Sequence, residues 1–138
     1  MIYSIKPICD VVVFRNDKIA MVDFVAGPDA QSGWYLPNDL LSELENPDAA
    51  AARIVLETFA QNCRDLRLVE VESFSGRDKS WHLAFHYACR IEVDVVALPE
   101  GIAAIEWFDP ADMPEPQRVA HHGWYLSVAK SVSTKYAA

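Results

Sequence analysis

Apolar positions fall into short stretches whose period changes along the chain. Residues 8–14 are apolar except for Asp10 and rich in valine, residues 18–25 are apolar again, and Asn16-Asp17 between them is a strong turn pair. This pattern predicts an opening β-hairpin. A polar, glycine-containing stretch occupies 27–33, and the short apolar segment Trp34-Tyr35-Leu36-Pro37 then runs into a long loop that ends at Asn46-Pro47. Asn46 is placed to cap free amides, and the fixed φ of Pro47 suits a first helical turn. From there to about residue 62, Ala52, Val55, Leu56 and Phe59 recur at i, i+3, i+4 and i+7. That spacing predicts a helix with one buried stripe and a more polar face carrying Arg53, Glu57 and Gln61.

Residues 66–74 read as a strand, 75–79 as a turn and 81–93 as a second strand. Side chains alternate across a strand, so Trp81, Leu83, Phe85, Tyr87 and Cys89 share one side, expected to face the core. His82, Ala84, His86, Ala88 and Arg90 share the other. A further strand is expected at 101–108, a proline-punctuated connection at 110–116, and a closing helix at 118–135 interrupted at Gly123. This order of elements implies the α+β class, an α/β/α sandwich around a mixed, largely antiparallel sheet. With no repeat, linker or low-complexity segment, residues 1–138 are expected to form a single domain.

Composition narrows the possibilities. With 138 residues, 51% of them hydrophobic, the chain can bury a core without disulfides. Its 12 basic and 20 acidic residues give a net charge of -8, which repels a nucleic-acid backbone, so no nucleic-acid partner is expected. An anionic substrate would need a metal ion or a local cluster of Arg and Lys to overcome that field. Cys9, Cys63 and Cys89 are widely spaced, form no CxxC pair and follow no secretory leader, which suggests reduced thiols and a cytoplasmic location. No apolar run approaches the roughly 20 residues of a membrane span, so no membrane association is expected.

The Trp-x-Leu-Pro segment leading through a loop into an Ala-rich helix resembles the Nudix family, whose box reads G-x5-E-x7-R-E-U-x-E-E-x-G-U, with U a bulky aliphatic residue. Anchored on Leu36-Pro37, the pattern aligns without a gap. Glu45, Arg53, Val55 and Glu57 match it, whereas Asp39, Ile54, Thr58 and Ala60 stand in place of Gly, Glu, Glu and Gly. Ile105-Glu106-Trp107-Phe108-Asp109-Pro110 also looks like the family's late strand entering its last helix, so the resemblance covers nearly the whole chain.

The resemblance implies magnesium-dependent hydrolysis of a nucleoside diphosphate linked to another moiety, with homodimers common. In the family the box carboxylates hold divalent ions against the diphosphate. Here the implied metal ligands are Glu57 and Glu45, with Arg53 orienting Glu57; the base is unassigned, and Glu100 or Glu106 could contribute from outside the box. Ile54 can neither bind a metal nor accept a proton, and Thr58 is a weak ligand. The expected magnesium site is therefore weakened, and hydrolysis is expected to be weak, atypical or lost. Trp34, His82 and His86 are candidates for contacting a nucleotide-type small molecule. Against that stand bland readings: core packing for Trp34, a solvated or hydrogen-bonded surface role for each histidine, and a surface ion pair for Arg53 and Glu57. Two alternatives stay open: a catalytically silent ligand-binding or regulatory module, and a structural domain whose loop at 27–46 docks a partner through Leu40, Leu41 and Leu44. Adjacent His121 and His122 would diverge on a helix, and no P-loop, GxSxG or HExxH motif competes.

Overall fold

The computed structural model describes residues 5–26, 32–76 and 79–136. Along these run β1 (Ile5–Arg15), β2 (Lys18–Phe24), β3 (Trp34–Tyr35), β4 (Asn38–Leu40), α1 (Pro47–Phe59), β5 (Arg64–Ser75), β6 (Trp81–Arg90), β7 (Ile102–Phe108) and α2 (Trp124–Tyr136). Positions 27–31 of the expected loop and 77–78 of the expected turn lie outside the described residues. No helix among the described residues is long and apolar enough to cross a membrane.

The opening hairpin forms as expected, with Asn16 and Asp17 at φ 51° and 63°, the positive values that a tight two-residue turn requires. It then splays. β1 is in register with β2 only next to the turn, at Phe14 opposite Ile19 and Arg15 opposite Lys18. Farther back, β1 is paired by β4, which puts Ile8, Cys9 and Asp10 opposite Leu40, Asp39 and Asn38. β4 falls inside a stretch whose sequence reads as loop. The other edge of β1 runs parallel to β6, from Ile5 opposite Trp81 to Phe14 opposite Arg90. β2 pairs antiparallel with β3 and β7, and β5 with β6. The sheet is thus mixed and largely antiparallel, with one parallel pair at its centre.

Helices cover both faces. On one face α1 packs over Cys9, Val11, Val13, Tyr87 and Cys89; on the other α2 packs over Val12, Phe14, Met21 and Ala88. Tyr87 ties the first face to α1 through a hydrogen bond from its hydroxyl to Asp48. Asn46 occupies the N-cap position of α1 but its side chain makes no cap bond, contrary to the role read from the sequence; Asp48 supplies negative charge to the first turn. The buried stripe of α1 also differs from expectation. Ala51, Ile54, Val55 and Thr58 turn inward, together with Ala50 and Phe59, while Leu56 is 50% exposed. Both stripes have the spacing i, i+3, i+4, i+7, and the inward one lets small alanines sit close to the sheet while Ile54 fills the core.

The expected division of β6 into a core side and a polar side fails for the same reason of two-sided cover. Trp81 is 41% exposed, whereas Ala84, His86 and Ala88 on the opposite side are buried. A central strand with a helix on each face has no solvent side. The closing helix begins later than expected. Short 3-10 turns at Pro116–Arg118 and His121–Gly123 precede it, and Gly123 has φ +81° with space for a Cβ only 3.1 Å from the Pro116 Cβ.

His86 is fully buried, which corrects its reading as a surface group. Its Nδ1 lies 2.7 and 2.8 Å from the two Asp10 carboxylate oxygens, and its Nε2 lies 2.7 Å from Glu72 Oε1. Burial disfavours the imidazolium, but its contacts with Asp10 and Glu72 outweigh this and hold the pKa above 6.5. Burial likewise raises the Asp10 carboxyl, opposed by His86.

Ala60 ends α1 at φ 56°, the left-handed conformation that favours glycine. Ala60→Gly should therefore raise stability by about 0.5–1 kcal/mol in urea unfolding. A folded His86 pKa above the unfolded value means its stabilising contribution is complete below pH 6.5 and is lost as pH rises through the folded pKa; the raised Asp10 acts in the same sense. Unfolding free energy should accordingly decline as pH rises above 6.5, and His86→Gln should flatten that slope.

Candidate functional site

The splay of β1 from β2 leaves a cleft of about 280 Å³ where β4, the exposed side of α1 and residues 99–102 meet. Phe24, at the far end of β2, forms an apolar wall. Among the described residues Asp39, Glu57 and Glu100 supply its charged lining, and Ile54 and Thr58 line it beside them. Glu100, raised from the sequence only as an outside contributor, thus sits across the cleft from the helix, while Glu106 faces Met21 across the β2–β7 ladder and does not line it.

Arg53 organises the loop that enters this cleft. Its guanidinium grips Glu45 with two bonds, Nε to Oε2 at 2.9 Å and Nη2 to Oε1 at 3.0 Å. It also donates from Nη1 to Asp39 Oδ2 at 2.8 Å and from Nη2 to the Leu40 carbonyl at 3.2 Å. Nη1 stands 3.5 Å from Glu57 Oε1. The planar donor fork of arginine matches this arrangement, which the point charge of a lysine would not. These bonds push Arg53 above its ordinary pKa. Glu45 is held below the ordinary carboxylate range, first by Arg53 and then by the Ser42 amide, which donates to Oε1 at 3.0 Å. Arg53 therefore reaches Glu57 as expected, but its shorter bonds go to Glu45 and Asp39. Asp39, which the sequence offers only as a missing glycine, is a working part of the clamp. The sign of it in the sequence is a carboxylate at the loop's start, on a loop that closes back onto Arg53.

Glu45 has both oxygens on Arg53 and lies outside the cleft lining, whereas Glu57 lines the cleft and its side chain is 62% exposed. Ile54 is 3% and Thr58 8% exposed, although both border the cleft. Among the described residues no group of three or more His, Cys, Asp or Glu converges in a way that could hold a metal ion. The residues present do not fit a multi-carboxylate magnesium cluster: two positions on α1 that would complete it carry an aliphatic chain and a hydroxyl.

The three candidate ligand-contacting residues lie elsewhere. Trp34 is packed edge-on against Phe108 at 5.5 Å, and its carbonyl accepts a bond from the Ala120 amide. His82 stacks on Phe74 at 5.2 Å, and Phe74 and His86 both meet Trp124. All three belong to the α2 side of the sheet, away from the cleft. Of the loop leucines, Leu41 packs on the α1 core while Leu40 and Leu44 are exposed.

No curated protein matches the sequence. Solved structures match the fold. The MutT NUDIX hydrolase from Burkholderia pseudomallei superposes with a TM-score of 0.73 at 21% identity, covering 93% of this chain and 97% of that one. The NUDIX domain of Shewanella oneidensis NrtR, solved with ADP ribose, gives 0.71 at 18%, covering 94% and 88%. An Ap4A hydrolase from C. elegans gives 0.71 at 14%, covering 96% and 98%. A family model described as the NUDIX domain matches residues 6–127. With the loop, helix and clamp arranged as above, the chain belongs to the Nudix family.

Proposed function

We propose that this chain is a Nudix protein of the hydrolase type that takes a nucleoside-diphosphate-linked compound in the cleft beside α1, with divalent-cation-dependent cleavage slow or absent. The observation that carries this reading is the lining of the cleft: among the described residues Asp39, Glu57 and Glu100 with no basic side chain, and Ile54 and Thr58 where the family pattern calls for carboxylates. A diphosphate entering such a cleft meets like charge on both walls, so its binding needs a cation between them. Glu100 and Glu57, the latter 3.5 Å from Arg53, are the lining carboxylates that such an ion would meet; Glu45 stays with Arg53. An ion held by so few carboxylates would bind weakly on its own, so ion and ligand should enter together. When bound, the ion would neutralise phosphate charge.

The residues of the chain itself bind and orient. Phe24 offers an apolar wall to the organic part of the ligand, and Arg53 fixes the loop that carries Asp39. Ile54 cannot take a proton from an attacking water, and its burial favours a second reading, a module that binds its nucleotide and releases it uncleaved. NrtR, whose NUDIX domain was solved with ADP ribose, offers a ligand of the proposed class.

The test is thermal stability with and without magnesium across ADP-ribose, nucleotide sugars, dinucleoside polyphosphates and nucleoside triphosphates, each mixture also assayed for cleavage. One class should stabilise the protein only when magnesium is present, by about 2.7 kcal/mol at a hundredfold excess over Kd. Cleavage should be slow or undetectable, and Glu100→Gln should abolish the magnesium-dependent shift. Tight binding without metal, or rapid turnover, would contradict the proposal.

A further inference from the structure

The sequence reads its three cysteines as separate reduced thiols, but the fold brings two of them together. Cys89 lies fully buried on the α1 side of β6. Cys63 stands just past the end of α1, half-buried, and packs against the same core cluster. Arg64 pairs antiparallel with Arg90, so Cys63 enters the β5–β6 ladder diagonally across from Cys89, and both side chains pack in the same core cluster. Cys63 precedes the regular part of β5, and the register shifts between Arg64 and Arg67, with Asp65 at φ 52°. This irregular backbone can follow a closer approach of the two sulfurs.

We propose that Cys63 and Cys89 form a redox modification site, which a hydroperoxide converts to an intramolecular disulfide with Cys63 as the attacking sulfur and Cys89 as the resolving one. The asymmetry of the pair supports that division of roles. Cys63 is only half-buried, and the neighbouring Cys89 thiol lowers its pKa to about 7, which favours the thiolate. Cys89 is fully buried, and its closeness to Cys63 together with burial holds it as a thiol. In the first step the Cys63 thiolate attacks one oxygen of the hydroperoxide. The O–O bond breaks, the leaving oxygen takes a proton as water or an alcohol, and Cys63 becomes a sulfenic acid. In the second step the Cys89 sulfur attacks the Cys63 sulfur, the S–O bond breaks, and the Cys89 proton leaves with the hydroxyl as water. The two thiols lose two electrons, which reduce the peroxide.

Cys9 is the internal control. It shares the core cluster, but it pairs with Phe85 on β6, four residues from Cys89 and so roughly 13 Å along the strand. Burial, and then the Asp10 carboxylate, push its thiol well above the ordinary range. The disulfide would fasten the segment that follows α1 to the central strand. The helix bordering the cleft would then be tied to the sheet in oxidised protein only.

The experiment is stoichiometric hydrogen peroxide on the full chain, followed by thiol counting in denaturant and peptide mapping by mass spectrometry. Free thiols should fall from three to one, with a linked peptide pair containing Cys63 and Cys89, and dithiothreitol should restore all three. Cys63→Ser should keep its two remaining thiols. Cys89→Ala, if folded by its circular dichroism, should instead accumulate a Cys63 sulfenic acid that dimedone traps. A Cys63→Ser protein oxidised as fast as the parent, a linkage to Cys9, or three thiols surviving in the parent would each overturn the proposal.

Discussion

The backbone hydrogen bonding of β1 is the constraint on which the rest of the molecule depends. A central strand must satisfy both edges, and β6 satisfies one along its whole length. The other edge is divided: β2 pairs next to the turn, and β4 takes over from Ile8 to Asp10. Because β2 leaves β1, the edge it frees pairs with β3, while its other edge pairs with β7 along its length. Because β4 arrives, the loop after it is brought over the α1 face. The cleft is the gap between the two departing strands, and α1 is the element that lies across it.

Within that frame α1 serves two demands that compete for the same surface. Its inward stripe must fill the core above β1 and β6, and its cleft-facing stripe must present groups to a ligand. Where the family pattern has three carboxylates, this helix carries Glu57, exposed, and Ile54 and Thr58, buried at the cleft's edge. The Arg53 clamp does not depend on those two positions. It binds Glu45, Asp39 and the Leu40 carbonyl, and so holds the loop to the helix whether or not a metal enters. Asp39 in place of a glycine strengthens the clamp and adds negative charge to the cleft mouth.

The features written in local chemistry were legible in the sequence. The Asn16-Asp17 turn, the proline that opens α1 and the glycine that delays α2 each act within a few residues, and each lies where the sequence places it. Ala60, at the position where the resemblance puts a glycine, takes a left-handed conformation. What the sequence could not supply depended on partners distant in the chain. Two stripes on α1 have identical spacing, and only the shape of the sheet beneath chooses Ile54 over Leu56. β4 is three residues long and gains its identity from the free edge of β1. His86 reads as a polar strand residue until Asp10, 76 positions away, and Glu72 are seen on either side of its ring. Cys63 and Cys89 are likewise joined only by the β5–β6 ladder.

On the proposed function, the cleft persists while two positions of one helix lack the groups for its chemistry. The most direct test is to return carboxylates to those positions with Ile54→Glu and Thr58→Glu together, after confirming a cooperative melt, and to assay nucleoside-diphosphate-linked compounds with magnesium. The account predicts that magnesium-dependent cleavage appears, or rises well above the parent's. A folded double variant that binds magnesium no better and cleaves nothing would contradict it, because the cleft itself would then be the part that was lost.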